Sequence, residues 1–154
     1  MSVAGSDVPG AGAGEGCGPG AVVGVGVDLV DVARVAGLLA RRRGAEERLF
    51  TAGERSYCRG CAASGERFAA RFAAKEAVGK ALGTGVLDFR EIEVLGGGRP
   101  SVRLAGRTAL AAGERGVAAV EISLTHTATY AAAIAVALAA GMTLPERSPE
   151  GGTS

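Results

Sequence analysis

Tyr130 to Leu138 reads Tyr-Ala-Ala-Ala-Ile-Ala-Val-Ala-Leu, and no other stretch restricts the fold as tightly. Alanine is the best helix former. Yet Tyr130, Ala132, Ile134, Val136 and Leu138 alternate strictly with alanines at 131, 133, 135 and 137. A period of two outranks propensity here, because it assigns every second residue to one face of a pleated strand. The segment is therefore expected to be a strand paired with the one before it, Val117–Thr125.

Other elements follow from spacing. Ala21–Asp28 reads as a strand with Val23, Val25 and Val27 on one face and Gly24, Gly26 and Asp28 on the other. Two glycines on one strand face let another group approach closely. Leu29–Arg43 has Val32, Val35 and Leu39 at helical spacing and a stop at Gly44. Thr51–Tyr57 opens with Thr51 and Glu54 at capping-box spacing. Ser64–Leu82 is the strongest helix, with Phe68 and Phe72 one turn apart and an alanine stripe at 69, 73 and 77. Glu91–Leu95 and Ser101–Leu104 flank a Gly96–Pro100 turn, and Thr108–Arg115 is helical up to Gly116. The order β-α-α-α-β-β-α-β-β predicts an α+β fold with a largely antiparallel sheet.

Composition divides the chain rather than describing it. Seven of its 26 glycines lie in residues 1–20, which hold almost nothing to bury and read as a disordered arm. That arm has neither a basic nor an apolar signal region. Residues 142–154, with two prolines and Gly-Gly-Thr-Ser, read as a second flexible tail, leaving 21–141 as the domain. The whole chain carries a net charge of +1, which argues against a nucleic-acid binder. The arms hold four acidic residues and one basic one, so the domain itself is basic. Arg34, Arg41, Arg42, Arg43 and Arg48 concentrate that charge in one early segment, either a solvated helix face or a dock for an acidic partner.

Cys17, Cys58 and Cys61 make an odd count without a secretory signal, which reads as ordinary thiols in a cytoplasmic protein. The Cys58–Cys61 spacing has neither a second ligand pair for zinc nor a βαβ unit for redox work. Tyr130–Ala140 falls far short of a membrane span.

Asp28, Glu76, Lys80 and His126 are the chemical candidates, and each has a structural explanation. Asp28 could cap a helix. Glu76 and Lys80 could be a surface pair at i,i+4. His126, the sole histidine, could be a half-buried polar residue at a strand end. Composition shifts the balance, since the chain has 15 arginines and only two lysines, Lys75 and Lys80, six positions inclusive apart on one helix. That bias suggests a use for compact ammonium groups there. Two carboxylates from separate elements suit Mg²⁺, which completes its shell with water and substrate phosphate. Lys80 could take a phosphate, and Gly83-Thr84-Gly85 offers an approachable backbone. Gly24-Val25-Gly26-Val27-Asp28-Leu29 lacks the third glycine of a dinucleotide fingerprint, and no P-loop is present.

Three motifs in order resemble the bacterial holo-acyl-carrier-protein synthases. Gly24-Val25-Gly26-Val27-Asp28-Leu29-Val30-Asp31 with Arg34 resembles the first. Arg71-Phe72-Ala73-Ala74-Lys75-Glu76-Ala77, continuing through Lys80 to Gly85, resembles the second. Ser123-Leu124-Thr125-His126-Thr127 with Tyr130-Ala131-Ala132-Ala133 resembles the third. Phe50-Thr51, Glu54, Tyr57-Cys58 and the Gly98-Arg99-Pro100 turn fall between them in the family's order.

The resemblance implies the 4′-phosphopantetheinyl transferase fold and its reaction. Phosphopantetheine would pass from coenzyme A to a serine of an apo acyl carrier protein, releasing adenosine 3′,5′-bisphosphate. It implies Mg²⁺ on Asp28 and Glu76, with Lys80 neutralising charge on the pyrophosphate. Arg71, Gly83, Thr84, Gly85, Pro100 and His126 would contact coenzyme A. Arg34 and Arg41 would face the acidic carrier. A single-copy chain of this length implies a homotrimer with sites between subunits. Asp31 stands where the family commonly has glutamate, Arg99 replaces lysine and Thr125 replaces serine. Either Glu76 or a metal-bound water would deprotonate the serine. The rival readings are a noncatalytic coenzyme A or nucleotide-binding module and a small structural oligomer. Fatty acid and polyketide carriers both remain open as partners.

Overall fold

The computed structural model describes residues 20–142, so the expected arms fall outside it apart from Gly20 and Met142. Strand β1 (Val22–Asp31) leads into helix α1 (Val32–Arg41), followed by α2 (Ala45–Leu49), α3 (Ala52–Arg59) and the long α4 (Ser64–Leu82). A single 3₁₀ turn at Phe89–Glu91 precedes the hairpin β2 (Ile92–Leu95) and β3 (Ser101–Leu104). Helix α5 (Gly106–Glu114) then connects to β4 (Val117–His126) and β5 (Tyr130–Ala139). The expected order holds with one helix, α2, added.

All pairing is antiparallel. The larger sheet runs β1-β5-β4, and β2-β3 forms a separate pair. The alternating segment is thus the central strand, with Val27 and Ser123 flanking Ile134 and with Gly26 and Ile122 flanking Ala135.

Which face looks inward reverses the usual arrangement. Alanines 131, 133, 135 and 137 are buried, whereas Tyr130 and Ile134 are exposed; Leu138, at the far end of the strand, is buried as well. Helix α4 lies across the alanine face, bringing Ala73, Ala77 and Ala81 into the core. Gly24 and Gly26 belong to this face, and the group that approaches them is α4 itself. A Cβ at Gly24 would stand 2.0 Å from the Ala81 carbonyl oxygen, and one at Gly26 2.0 Å from that of Ala77. Small residues on both partners therefore set the separation of helix and sheet. On the outer face Val25, Val27, Leu29, Tyr130 and Ile134 are all exposed.

Two boundaries move for local reasons. Strand β1 continues three residues beyond Asp28, and the Asp31 carboxylate caps α1 by accepting the Arg34 N–H at 2.9 Å. Asp28 is not a helix cap, and the shortened side chain at position 31 has a defined role. Gly44, expected to stop the first helix, instead starts α2 with φ at +75°, while Arg42 closes α1. Thr51 and Glu54 form the expected capping box. Gly83 ends α4 in the left-handed region at φ +68°.

Candidate active site

The close seating of α4 on β1 assembles the first group of candidates. Asp28 follows Gly24 and Gly26 on the same strand face, so its carboxylate lies beside the helix at the level of Lys80. The Lys80 ammonium donates to Asp28 Oδ1 at 2.7 Å and to the Val27 carbonyl at 3.0 Å. Glu76 sits one turn back on α4. Its pKa is raised, first by burial and then by repulsion from Asp28, and Lys80 only partly opposes this. Asp28 and Glu76 line one cavity of about 370 Å³ together with Arg34, Arg41, Leu38 and Phe72.

No cluster of three or more His, Cys, Asp or Glu side chains with metal-binding geometry occurs among the described residues. The Asp28–Glu76 pair still fits Mg²⁺, because that ion takes one or two carboxylates and keeps waters or substrate phosphates elsewhere. A cation here would offset the Asp28 repulsion that helps to raise the Glu76 pKa. Zinc, with its preference for three or four nitrogen and sulfur ligands, does not match this pair.

Arg71, Pro100 and His126 meet in a different cavity, of about 280 Å³, that shares no lining residue with the first. Helical geometry requires this separation, since Arg71 and Glu76 are five residues apart on α4 and so point about 140° from each other. Arg71 is buried. Its guanidinium donates to the Gly96 carbonyl at 2.9 Å and stacks 4.0 Å from the Tyr57 ring centroid. Its Nε has no partner among the described residues. His126 is held through Nδ1 by the Glu66 carboxylate at 2.9 Å, which leaves Nε2 for a ligand. Arg67 and Tyr57 line the same space, and the Gly96–Gly98 turn forms its wall. Sequence reasoning missed Glu66, Arg67 and Tyr57 as contributors. The spacing of Arg67 and Arg71 one turn apart was the available signal.

Gly83 lies in a third cavity beside Lys80. The turn that follows folds back on α4, where the Thr84 and Gly85 N–H groups both donate to the Gly79 carbonyl at 3.2 and 3.1 Å. Gly79 has no room for a side chain because Gly85 packs against it. The Thr84 hydroxyl donates to the Gly85 carbonyl at 2.8 Å.

The two lysines differ in role. Lys75 is fully buried and donates to Glu54 at 2.7 Å, the Phe89 carbonyl at 2.7 Å and the Leu49 carbonyl at 2.8 Å. Burial pulls its pKa down and Glu54 opposes the shift. Glu54 in turn accepts from the Val94 and Thr51 N–H groups. An ammonium fills this three-acceptor socket, which ties α2, α3 and the 3₁₀ turn to the helix carrying Glu76. The two cysteines in the described residues, Cys58 and Cys61, are free thiols, and burial pushes Cys58 up to about 11. Among the described residues no helix is long and apolar enough to cross a membrane.

Residues 24–135 match the family model of the 4′-phosphopantetheinyl transferase superfamily. A holo-[acyl-carrier-protein] synthase of Frankia casuarinae is 54% identical over 120 residues, covering 76% of this chain and 98% of the relative. The crystal structure of a holo-(acyl-carrier-protein) synthase from Bacillus anthracis in complex with CoA (3′,5′-ADP) superposes with a TM-score of 0.64. Identity there is 30%, and the match covers 77% of this chain and 98% of that one. The Helicobacter pylori holo-[acyl-carrier-protein] synthase in complex with coenzyme A gives 0.63 at 26% identity, covering 75% and 99%.

Proposed function

Because this chain belongs to the 4′-phosphopantetheinyl transferase superfamily, we propose that it transfers 4′-phosphopantetheine from coenzyme A to a serine of an apo acyl carrier protein. The observation that carries this reading is the single cleft holding Asp28 and Glu76, with Lys80 on its edge and Arg34 and Arg41 along its wall. In it the two carboxylates would hold Mg²⁺, which when bound neutralises pyrophosphate charge as a Lewis acid.

The chain's own groups supply position and electrostatics, the main requirements of phosphoryl transfer. The serine oxygen forms a bond to the phosphorus bearing pantetheine as the bridging pyrophosphate bond breaks. The serine proton would pass to the Glu76 carboxylate or to a water in the cleft, and adenosine 3′,5′-bisphosphate leaves with the electron pair of the broken bond. Lys80, fixed by Asp28 and the Val27 carbonyl, places its ammonium beside the carboxylates, where pyrophosphate charge would develop. Arg71 and Arg67 make the pocket at His126 and Pro100 basic for another part of coenzyme A, and the Gly83–Gly85 backbone, in its separate cavity, would contact a further part of that ligand. Arg34 and Arg41 would receive an acidic carrier at the mouth of the catalytic cleft. The reaction would run in the cytoplasm, in keeping with free Cys58 and Cys61. The transferase domain in this reading is residues 21–141.

A homotrimer belongs to this reading. Its support is the outer sheet face, where Val27 and Leu29 are 64% and 65% exposed beside Ile134 and Tyr130. Contiguous apolar surface of this kind marks an interface. The Asp28–Glu76 and Arg71–His126 cavities are also separate on one copy, so a ligand reaching both sets would lie between copies.

The test is to incubate the protein with coenzyme A, Mg²⁺ and an apo carrier protein, then weigh the carrier. A phosphopantetheine mass gain is expected, and no gain with several carriers would overturn the reading. Glu76→Gln is expected to abolish the gain with an unchanged melting temperature. Retained turnover would remove Glu76 from the site.

A further inference from the structure

Arg115 has no part in the site as described. It closes α5 as its C-terminal cap, and its guanidinium reaches over the end of α4. There its Nη1 lies 2.7 Å from the point where a Cβ on Gly83 would stand. The cavity at this place, about 440 Å³, is lined by Lys80, Gly83, Arg115 and the start of β1. It holds two cations and no carboxylate. Lys80 is matched to Asp28, while among the described residues no ion pair includes Arg115.

We propose that Arg115 and Lys80 form a phosphate-binding lip across the Gly83 turn, and that Arg115 holds a phosphate of coenzyme A there. The inference rests on the transferase reading for the identity of the ligand. A guanidinium offers a planar fork of donors suited to phosphate oxygens. The lack of a side chain at Gly83 is what lets that fork lie against the turn. Lys80 joins this lip to the Asp28–Glu76 cleft, so one nucleotide ligand can reach both. The competing role for Arg115 is electrostatic support of the carbonyl-rich end of α4. That role affects stability and leaves ligand affinity alone.

The experiment measures calorimetric binding of adenosine 3′,5′-bisphosphate, the KM for coenzyme A and the melting temperature in wild type, Arg115→Ala and Arg115→Lys. Losing a charge-assisted contact should weaken nucleotide binding and raise the KM for coenzyme A about tenfold. The carrier KM should be unchanged, and Arg115→Lys should recover part of the loss. Unaltered nucleotide binding and KM in Arg115→Ala would overturn the proposal, and a lowered melting temperature with them would assign Arg115 to the helix end. The binding arm needs no turnover. A wild-type protein that binds the nucleotide through Arg115 yet modifies no carrier would therefore refute the transferase reading alone.

Discussion

Gly26→Ala tests the link between packing and chemistry with one methyl group. The added Cβ would stand 2.0 Å from the Ala77 carbonyl oxygen, 2.7 Å from the Ala81 nitrogen and 2.9 Å from the Lys80 Cβ. Two of these are backbone atoms of α4, so no side-chain rotation relieves the clash. To restore an ordinary contact of 3.4 Å, the helix must retreat from β1 by about 1.4 Å. Overpacking of this kind costs about 1–3 kcal/mol. The reduced freedom of the unfolded chain returns about 0.4–1 kcal/mol. A net loss of about 1 kcal/mol lowers the melting temperature by roughly 3–6 °C for a domain of this size.

The same retreat carries Lys80 away from Asp28. Their contact is 2.7 Å, and a shift of about 1.4 Å takes it beyond hydrogen-bond reach. Misplacement of a reacting constellation by 1 Å costs about a hundredfold in rate. The variant should therefore lose about two orders of magnitude in kcat/KM in the carrier mass-gain assay, measured below its melting temperature. Gly113→Ala is the control, since a Cβ there meets nothing within 4 Å on α5. It should be neutral or stabilising by up to about 1 kcal/mol. If Gly26→Ala matches Gly113→Ala in both melting temperature and rate, the helix–strand approach does not set the site geometry.

Lys75→Met should cost about 3–5 kcal/mol, because it strands the buried Glu54 carboxylate and two carbonyls. Urea unfolding at fixed protein concentration checks this, and full stability would show that the socket can rearrange. Lys75→Arg should not restore the loss, since a planar fork does not fit three acceptors arranged for an ammonium. Arg34→Glu should raise the KM for carrier about tenfold and leave that for coenzyme A unchanged. Equal carrier KM values would remove α1 from docking. Ile134→Glu places a charge on the outer sheet face without touching the α4 core, so sedimentation should show monomers that have lost transfer. An unchanged assembly would refute that face as the contact between copies.

The fold was legible wherever a local pattern matched a local cause. Alternation over 130–138 identified a strand despite an alanine content that would favour helix, and the capping box at Thr51 and Glu54 formed as spaced. What alternation could not reveal is which side faces the core. The larger residues would ordinarily point inward. Where α4 crosses β1 and β5 it sits so near the sheet that Gly and Ala fill the contact, a fact that depends on residues 77 and 81 meeting residues 24 and 26. Helix α2 escaped notice because five residues cannot sustain a helix alone, and its place depends on tertiary packing. The cap at Asp31 was readable in principle, as an aspartate three residues before Arg34. The run Gly26-Val27-Asp28 drew the strand to an early close instead.

The candidate site was legible as residue types and not as a place. Three motifs marked the residues, and Asp28, Glu76 and Lys80 do converge, because helix α4 crosses β1 at its glycines. The family resemblance put Arg71 and His126 on coenzyme A, and in the chain Arg71 is only five residues from Glu76. On a helix those five residues turn the side chains about 140° apart, and the structure accordingly puts them in separate cavities. A sequence motif states which groups a reaction requires and leaves open whether one copy supplies them all. The exposed outer face of Val25, Val27, Leu29 and Ile134 is what the proposed contact between copies would cover. A single copy leaves both an apolar sheet and a divided site, and one arrangement of neighbouring copies would complete both.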